Sequence, residues 1–188
     1  MMRVAGLDPA LSSFGSAVVH PGEARSDNGV MLAPLVRTYR TKVPMTGHAR
    51  LAGLLNQVRL VCDGADVVVI EDILVRRVPG NAIGPLAGLH WLVRHELWMA
   101  GIPYVPVNTT HRAKWLTGKG NAGKDECLAA AIKRFPMADL KGNDEADALT
   151  LAAMGAAHYG YPLVRMPASA DEVLAKITWP AVRGDSSG

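Results

Sequence analysis

Four consecutive β-branched residues, Val67 to Ile70, run straight into two acids, Glu71 and Asp72. A run with no polar face fits a strand covered on both sides, and such strands belong to layered α/β sheets. The flanking segments fit helices. Residues 48–62 place Leu51, Leu54, Leu55, Val58 and Val61 at helical spacing, and residues 81–100 form a second long helix stopped at Gly101. A carboxylate directly after a buried run is costly unless it faces a site, which singles out Glu71.

The remaining elements fall into place around that strand. Residues 3–7 are an apolar run ending in Asp8-Pro9, a buried strand stopped by the proline. Residues 14–20 fit a second strand, 21–29 a polar loop, and 31–41 a third strand whose Pro34 favours an edge or a bulge. Residues 103–107 are a short strand. Helices follow at 109–116 and 124–135, on either side of a glycine-rich turn, and at 143–159, whose small residues suit close packing on a sheet. Three consecutive strands suggest an antiparallel meander, and the fourth, arriving after a helical crossover, lies parallel to the first. The expected fold is α/β: a mixed five-stranded sheet with helices on both faces. After Tyr161 the pattern fades among prolines, so residues 1–160 read as the domain and 161–188 as a C-terminal extension, partly flexible at 184–188.

With 188 residues, 49 % of them apolar and 20 % charged, the chain fits one domain with a full core. Cys62 and Cys127 lie far apart among apolar neighbours, which excludes a disulfide framework or zinc site and fits a reducing cytoplasm. No signal peptide or membrane-spanning stretch is expected. Net charge is +3. The distribution is more telling: residues 111–134 hold His111, Arg112, Lys114, Lys119, Lys124, Lys133 and Arg134 against only Asp125 and Glu126. A basic surface beside an acidic site suits phosphodiester chemistry.

The acidic site follows from element ends. Asp8 ends the first strand and Glu71 the fourth; if these are parallel neighbours, both carboxylates leave the same sheet edge. Asp144 and Asp147, three apart at the start of the last core helix, share a helix face that can close over that edge. Four converging carboxylates require a counter-charge, and an all-oxygen donor set selects Mg²⁺, with Mn²⁺ as a substitute. Ions of this kind activate water and stabilise the leaving oxygen in phosphodiester hydrolysis.

These segments resemble the RuvC-type Holliday junction resolvases. Gly6-Leu7-Asp8-Pro9 with Ser13-Phe14-Gly15 looks like their first strand and turn, and Val69-Ile70-Glu71-Asp72 is similar to their second acidic strand. The stretch PVNTTHRAKWLTGKGNAGK at 106–124 resembles their segment of proline, lysine, Gly-x-Gly and second lysine. Asp144-Glu145-Ala146-Asp147-Ala148-Leu149 is similar to their closing helix. The likeness spans residues 3–158 in order. It implies a ribonuclease H-like fold, a homodimer, and Mg²⁺-dependent paired nicking of four-way DNA junctions. It carries metal binding and catalysis to Asp8, Glu71, Asp144 and Asp147, and DNA contact or phosphate stabilisation to Lys114 and Lys124. Arg76, Arg77, Arg112 and Lys119 are the further expected DNA contacts. Leu74 stands where many relatives carry an aromatic wedge.

Other readings predict other features. GKGNAGK at 118–124 nearly matches a nucleotide phosphate loop, but Asp125 replaces the required hydroxyl and a helix precedes it. The glycine-rich turn offers backbone N–H groups to a DNA phosphate instead. Sugar kinase and actin-like ATPases also open on a strand ending in aspartate, yet their second lobe does not fit this length. A related nuclease for flaps, other branched DNA or RNA–DNA hybrids remains the alternative, as does an inactive junction-binding protein. The latter predicts a broken acidic set, and all four acids are present.

Overall fold

The computed structural model describes residues 2–20, 34–73 and 80–182. The expected loop at 21–29, the start of the third strand, Leu74, Arg76, Arg77 and the tail at 184–188 lie outside the described residues.

Strands β1 (Val4–Asp8), β2 (Phe14–His20), β3 (Leu35–Thr41), β4 (Val67–Glu71) and β5 (Tyr104–Val107) form one sheet in the order β3-β2-β1-β4-β5. The first three make the antiparallel meander. β4 lies parallel to β1 and β5 parallel to β4. Helix α1 (Gly47–Cys62) is the crossover from β3 to β4, and α2 (Gly80–Met99) connects β4 to β5. Then come α3 (Thr109–Thr117), α4 (Lys124–Arg134), α5 (Asn143–His158) and α6 (Ala168–Leu174). The expected elements are present, with ends shifted by a residue or so, as helix fraying allows. No helix among the described residues is long and apolar enough to cross a membrane.

Two cores flank the sheet. Ala5, Leu7, Val68 and Ile70 point to one face and pack on Leu54, Val58, Leu89, Val93 and Leu97 of α1 and α2. Val4, Val67, Val69, Val105 and Val107 point to the other and pack on α3 to α6. Alternation along a strand therefore decides where the acids go. Val4, Gly6 and Asp8 share a face, as do Val67, Val69 and Glu71, and this is the face that α5 covers. The register pairs Leu7 with Ile70, so Asp8 and Glu71 end adjacent strands side by side.

Helix α5 lies unusually close to the sheet because the sequence removes side chains from the contact. A Cβ on Gly6 would fall 2.0 Å from the Ala148 carbonyl oxygen, and one on Gly155 would fall 2.8 Å from a Val69 methyl. The helix is itself built of Ala146, Ala148, Ala152, Ala153 and Ala156, all buried. This contact lowers the first turn of α5 onto the sheet edge.

Helix α6 was not legible as a helix in the sequence, where the segment reads as patternless. Ala170, Val173 and Leu174 pack into the core. Beyond it, Trp179 stacks on His158 at 4.4 Å between ring centroids and donates from Nε1 to the Leu174 carbonyl at 3.0 Å. Tyr159 donates to the Pro180 carbonyl at 2.6 Å. The extension is thereby fastened to the domain as far as these residues.

Candidate active site

A cleft of about 440 Å³ opens at the C-terminal edge of β1 and β4. Asp8 and Glu71 enter it from the strand ends, and Asp144 and Asp147 from the N-terminal part of α5. Arg112 and Thr109 reach it from α3. Gly120, Asn121 and Ala122 of the glycine-rich turn, with Lys124 at the start of α4, also line it.

The turn owes its shape to local rules. Asn108 caps α3, its side-chain oxygen accepting from the His111 backbone N–H at 2.7 Å. Gly118 closes that helix with φ +85°, a left-handed conformation suited to glycine. At Gly120 a Cβ would meet the Thr110 methyl at 2.7 Å, so the returning chain packs directly on α3. The result brings Lys124 back over the sheet edge.

The carboxylates are held in three groups. Asp8 and Glu71 form the first. Burial pushes the Asp8 carboxyl well above the usual range, and the charges of Glu71 and Asp147 and a hydrogen bond with Glu71 push it further; Arg112 pulls the other way. Asp147 is raised to about 6, by burial first and by the charge of Glu71, with Arg112 opposing. Desolvated carboxylates that repel each other demand a cation.

Arg112 supplies part of that charge and defines the second group. Its side chain is 8 % exposed. Nε donates to Glu71 Oε1 at 2.7 Å, and Nη1 donates to Asp147 Oδ1. Burial alone would lower the pKa of this guanidinium, but Glu71, Asp147 and Asp8 outweigh it and raise it further. Removing one member of a buried ion pair typically costs about 3–5 kcal/mol, because the other is left uncompensated. In the third group Ser13 donates to Asp144 Oδ2, and Arg40 Nε donates to Ser13 Oγ at 2.9 Å and lies 3.5 Å from Asp144.

The sequence reading thus brings together Asp8, Glu71, Asp144, Asp147, Lys124 and Arg112. Arg112, expected as a surface contact for DNA, turns inward and is engaged by two acids. Lys114 and Lys119 do not line the cleft. Lys119 is exposed and paired with Glu126 at 3.0 Å. The reading missed Ser13 and Arg40 as partners of Asp144. The buried imidazole of His90 also lines the cleft. Burial and the charge of Arg94 lower the His90 pKa, favouring the neutral ring. Cys62 and Cys127 are free, buried thiols, and burial pushes Cys62 up to about 12.

The donor set fits a hard divalent cation by its chemistry: all oxygen, partly desolvated and short of positive charge. Among the described residues, no group of three or more carboxylate, imidazole or thiol side chains is gathered into a ready-made metal cage. Asp147 is bonded to Arg112 and Asp144 to Ser13.

No protein-family model matches the chain. The crossover junction endodeoxyribonuclease RuvC of Delftia acidovorans is 30 % identical over 175 residues, covering 88 % of this chain and 89 % of that protein. Thermus thermophilus RuvC, solved in complex with a Holliday junction substrate, superposes with a TM-score of 0.62 at 21 % identity, over 89 % of this chain and 100 % of that one. The Fowlpox virus resolvase, solved with substrate Holliday junction DNA, gives a TM-score of 0.53 at 11 % identity, over 80 % and 94 % of the two chains. At those identities the two structures speak for the fold. At 30 % identity over 88 % of this chain and 89 % of the Delftia protein, the sequence match shows that the chain belongs to the RuvC family of crossover junction endodeoxyribonucleases.

Proposed function

We propose that this protein is a divalent-metal-dependent endodeoxyribonuclease that resolves four-way DNA junctions by paired phosphodiester hydrolysis, acting as a homodimer. The observation that carries the reading is the convergence of Asp8, Glu71, Asp144 and Asp147 from two parallel strands and one helix on a single cleft that Lys124 also lines. Family membership supports the substrate class.

Asp8, Glu71, Asp144 and Asp147 are the residues to hold the cation, with Mg²⁺ favoured by hard oxygen donors and Mn²⁺ able to replace it. Bound there, such an ion supplies positive charge against phosphate oxygens and eases deprotonation of water. The protein's own residues do the rest. Lys124, which lines the cleft with the acids, stabilises the charge that grows on the phosphate. The backbone of the glycine-rich turn contacts a phosphate oxygen and sets the strand's position. Lys114 and Lys119 add phosphate contacts outside the cleft, Arg76 and Arg77 are further phosphate contacts, and Arg40 adds one on the β3 side.

Dimerisation has a surface available. Trp91, Trp98 and Met99 of α2 are largely exposed, on the helix whose other side packs on the sheet. An exposed apolar stripe of this kind fits a contact between two copies. The two reduced, buried cysteines fit the cytoplasm.

The test is a substrate panel: a labelled four-way junction, a matched linear duplex, a flap and an RNA–DNA hybrid, each with Mg²⁺, Mn²⁺ or chelator. Symmetric, metal-dependent nicking of the junction is the expected result. Cutting of flap or hybrid with the junction spared replaces the substrate. Tight junction binding with no cutting in any metal overturns the catalytic reading.

A further inference from the structure

Arg112 occupies the place in the cleft where one cation joins two elements. Glu71 ends a strand, Asp147 begins a helix, and the guanidinium bonds to one oxygen of each. These are two of the four acids assigned above to the metal. At 7 % exposure, Arg112 cannot reach a phosphate at the rim without giving up both charge-assisted bonds.

We propose that Arg112 is a positioning residue that serves as an internal counter-cation, and that a divalent ion must take carboxylate oxygens of Glu71 and Asp147 away from it. The inference rests on the metal-dependent reading of the cleft. Three observations support it. The guanidinium cross-braces β4 to α5 and so keeps repelling acids close together without a metal. Its two bonds occupy Glu71 Oε1 and Asp147 Oδ1, oxygens that the two acids would otherwise offer to the ion. And the acids, divided among Arg112, Ser13 and one another, are not gathered into a metal cage among the described residues.

The direction of the effect follows. An arginine that only fastened the fold would, when removed, loosen the acids and weaken metal binding. A competing cation would, when removed, release two carboxylates and a nearby positive charge. In a partly buried site the electrostatic contribution dominates, because effective dielectric is low and the charges share the same oxygens. Arg112 therefore lowers affinity for the ion while holding its ligands in place.

The experiment is calorimetric titration of Mn²⁺ into the purified protein without DNA, at one fixed pH, for wild type, Arg112→Gln, Arg112→Lys and Asp8→Asn. Circular dichroism checks the fold of each. The proposal expects Arg112→Gln to bind Mn²⁺ about tenfold more tightly than wild type, a change of about 1.4 kcal/mol. Its melting temperature falls without metal and recovers at saturating Mn²⁺. Arg112→Lys keeps a charge but cannot span both carboxylates, so it tightens binding by a smaller factor. If Arg112→Gln does not fold, Arg112→Lys decides alone: tighter binding supports the proposal, and equal or weaker binding overturns it. Mn²⁺ uptake that Asp8→Asn abolishes but the Arg112 variants leave unchanged or weaken overturns the proposal and keeps the metal site. No saturable uptake by wild type or by either Arg112 variant overturns both.

Discussion

Gly15 and Asp144 meet backbone to backbone: a Cβ on Gly15 would lie 2.1 Å from the Asp144 carbonyl oxygen. The contact sets the height of the first turn of α5 above β2, and hence the position of one of the four acids. Gly15→Ala should therefore cost stability, by about 1–3 kcal/mol for overpacking a filled contact. It should also lower cleavage at saturating DNA, because Asp144 is displaced. Gly88→Ala is the control. That exposed helical glycine has nothing within 4 Å of an added Cβ, so alanine should be neutral or stabilise by up to about 1 kcal/mol. Urea denaturation and single-turnover cleavage of both variants check the pair.

Asp147 makes stability in chelator depend on pH. Its folded pKa, about 6, lies above the ordinary value of 3.8, so between these values the native state binds more protons than the unfolded chain. Stability contributed by this group is then greatest below about pH 4 and falls as pH rises to about 6. A gap of roughly two between the folded and unfolded pKa corresponds to a loss on the order of 3 kcal/mol. Asp8, also raised, extends the fall to higher pH. Comparing wild type with Asp147→Asn across pH 4 to 8 isolates the effect: wild type should lose stability relative to the variant as pH rises. Mg²⁺ should restore stability at pH 7.5, and chelator should remove that gain.

Asp8→Asn should separate stability from activity. It removes a carboxyl that burial and two neighbouring acids penalise, so thermal stability in chelator at pH 7.5 should rise. Cleavage should fall by about 10²–10³-fold or more, the scale of losing one electrostatic element of a reaction site. A melt and a single-turnover assay on one preparation measure both.

Lys124 and Lys114 should differ in kind. Lys124 lines the cleft and Lys114 does not. Lys124→Ala should lower the cleavage step by about 10²-fold with DNA bound. Lys114→Ala should leave that step nearly intact and weaken binding, reducing the slope of log affinity against log salt by about 0.9 if it neutralises one phosphate. Binding titrations at several salt concentrations distinguish them.

What the sequence could reveal was set by whether a signal is local. The β4 strand announces itself through four apolar residues and a terminal acid, and α5 through small residues around Asp144 and Asp147. Parallel pairing of β1 and β4 follows from the crossover helix, and with it the meeting of Asp8 and Glu71. Arg112 carries no such signal. Its partners are 41 and 35 positions away, and among the neighbouring lysines it looks like one more surface cation. Arg40 reaches Ser13 from 27 positions away for the same reason. Helix α6 has seven residues and a proline at its N-cap, and its packing rests on contacts with α3 and the core rather than on a long apolar period.

The central claim is that the acidic cleft cuts branched DNA in pairs. A supercoiled plasmid that extrudes a cruciform tests it most directly, because two nicks made within one binding event open the circle to a linear form with ends at the cruciform. The account predicts linear product in Mg²⁺, none in chelator and none with Asp8→Asn. Intact plasmid in every metal, or linear product that persists in Asp8→Asn, would contradict it.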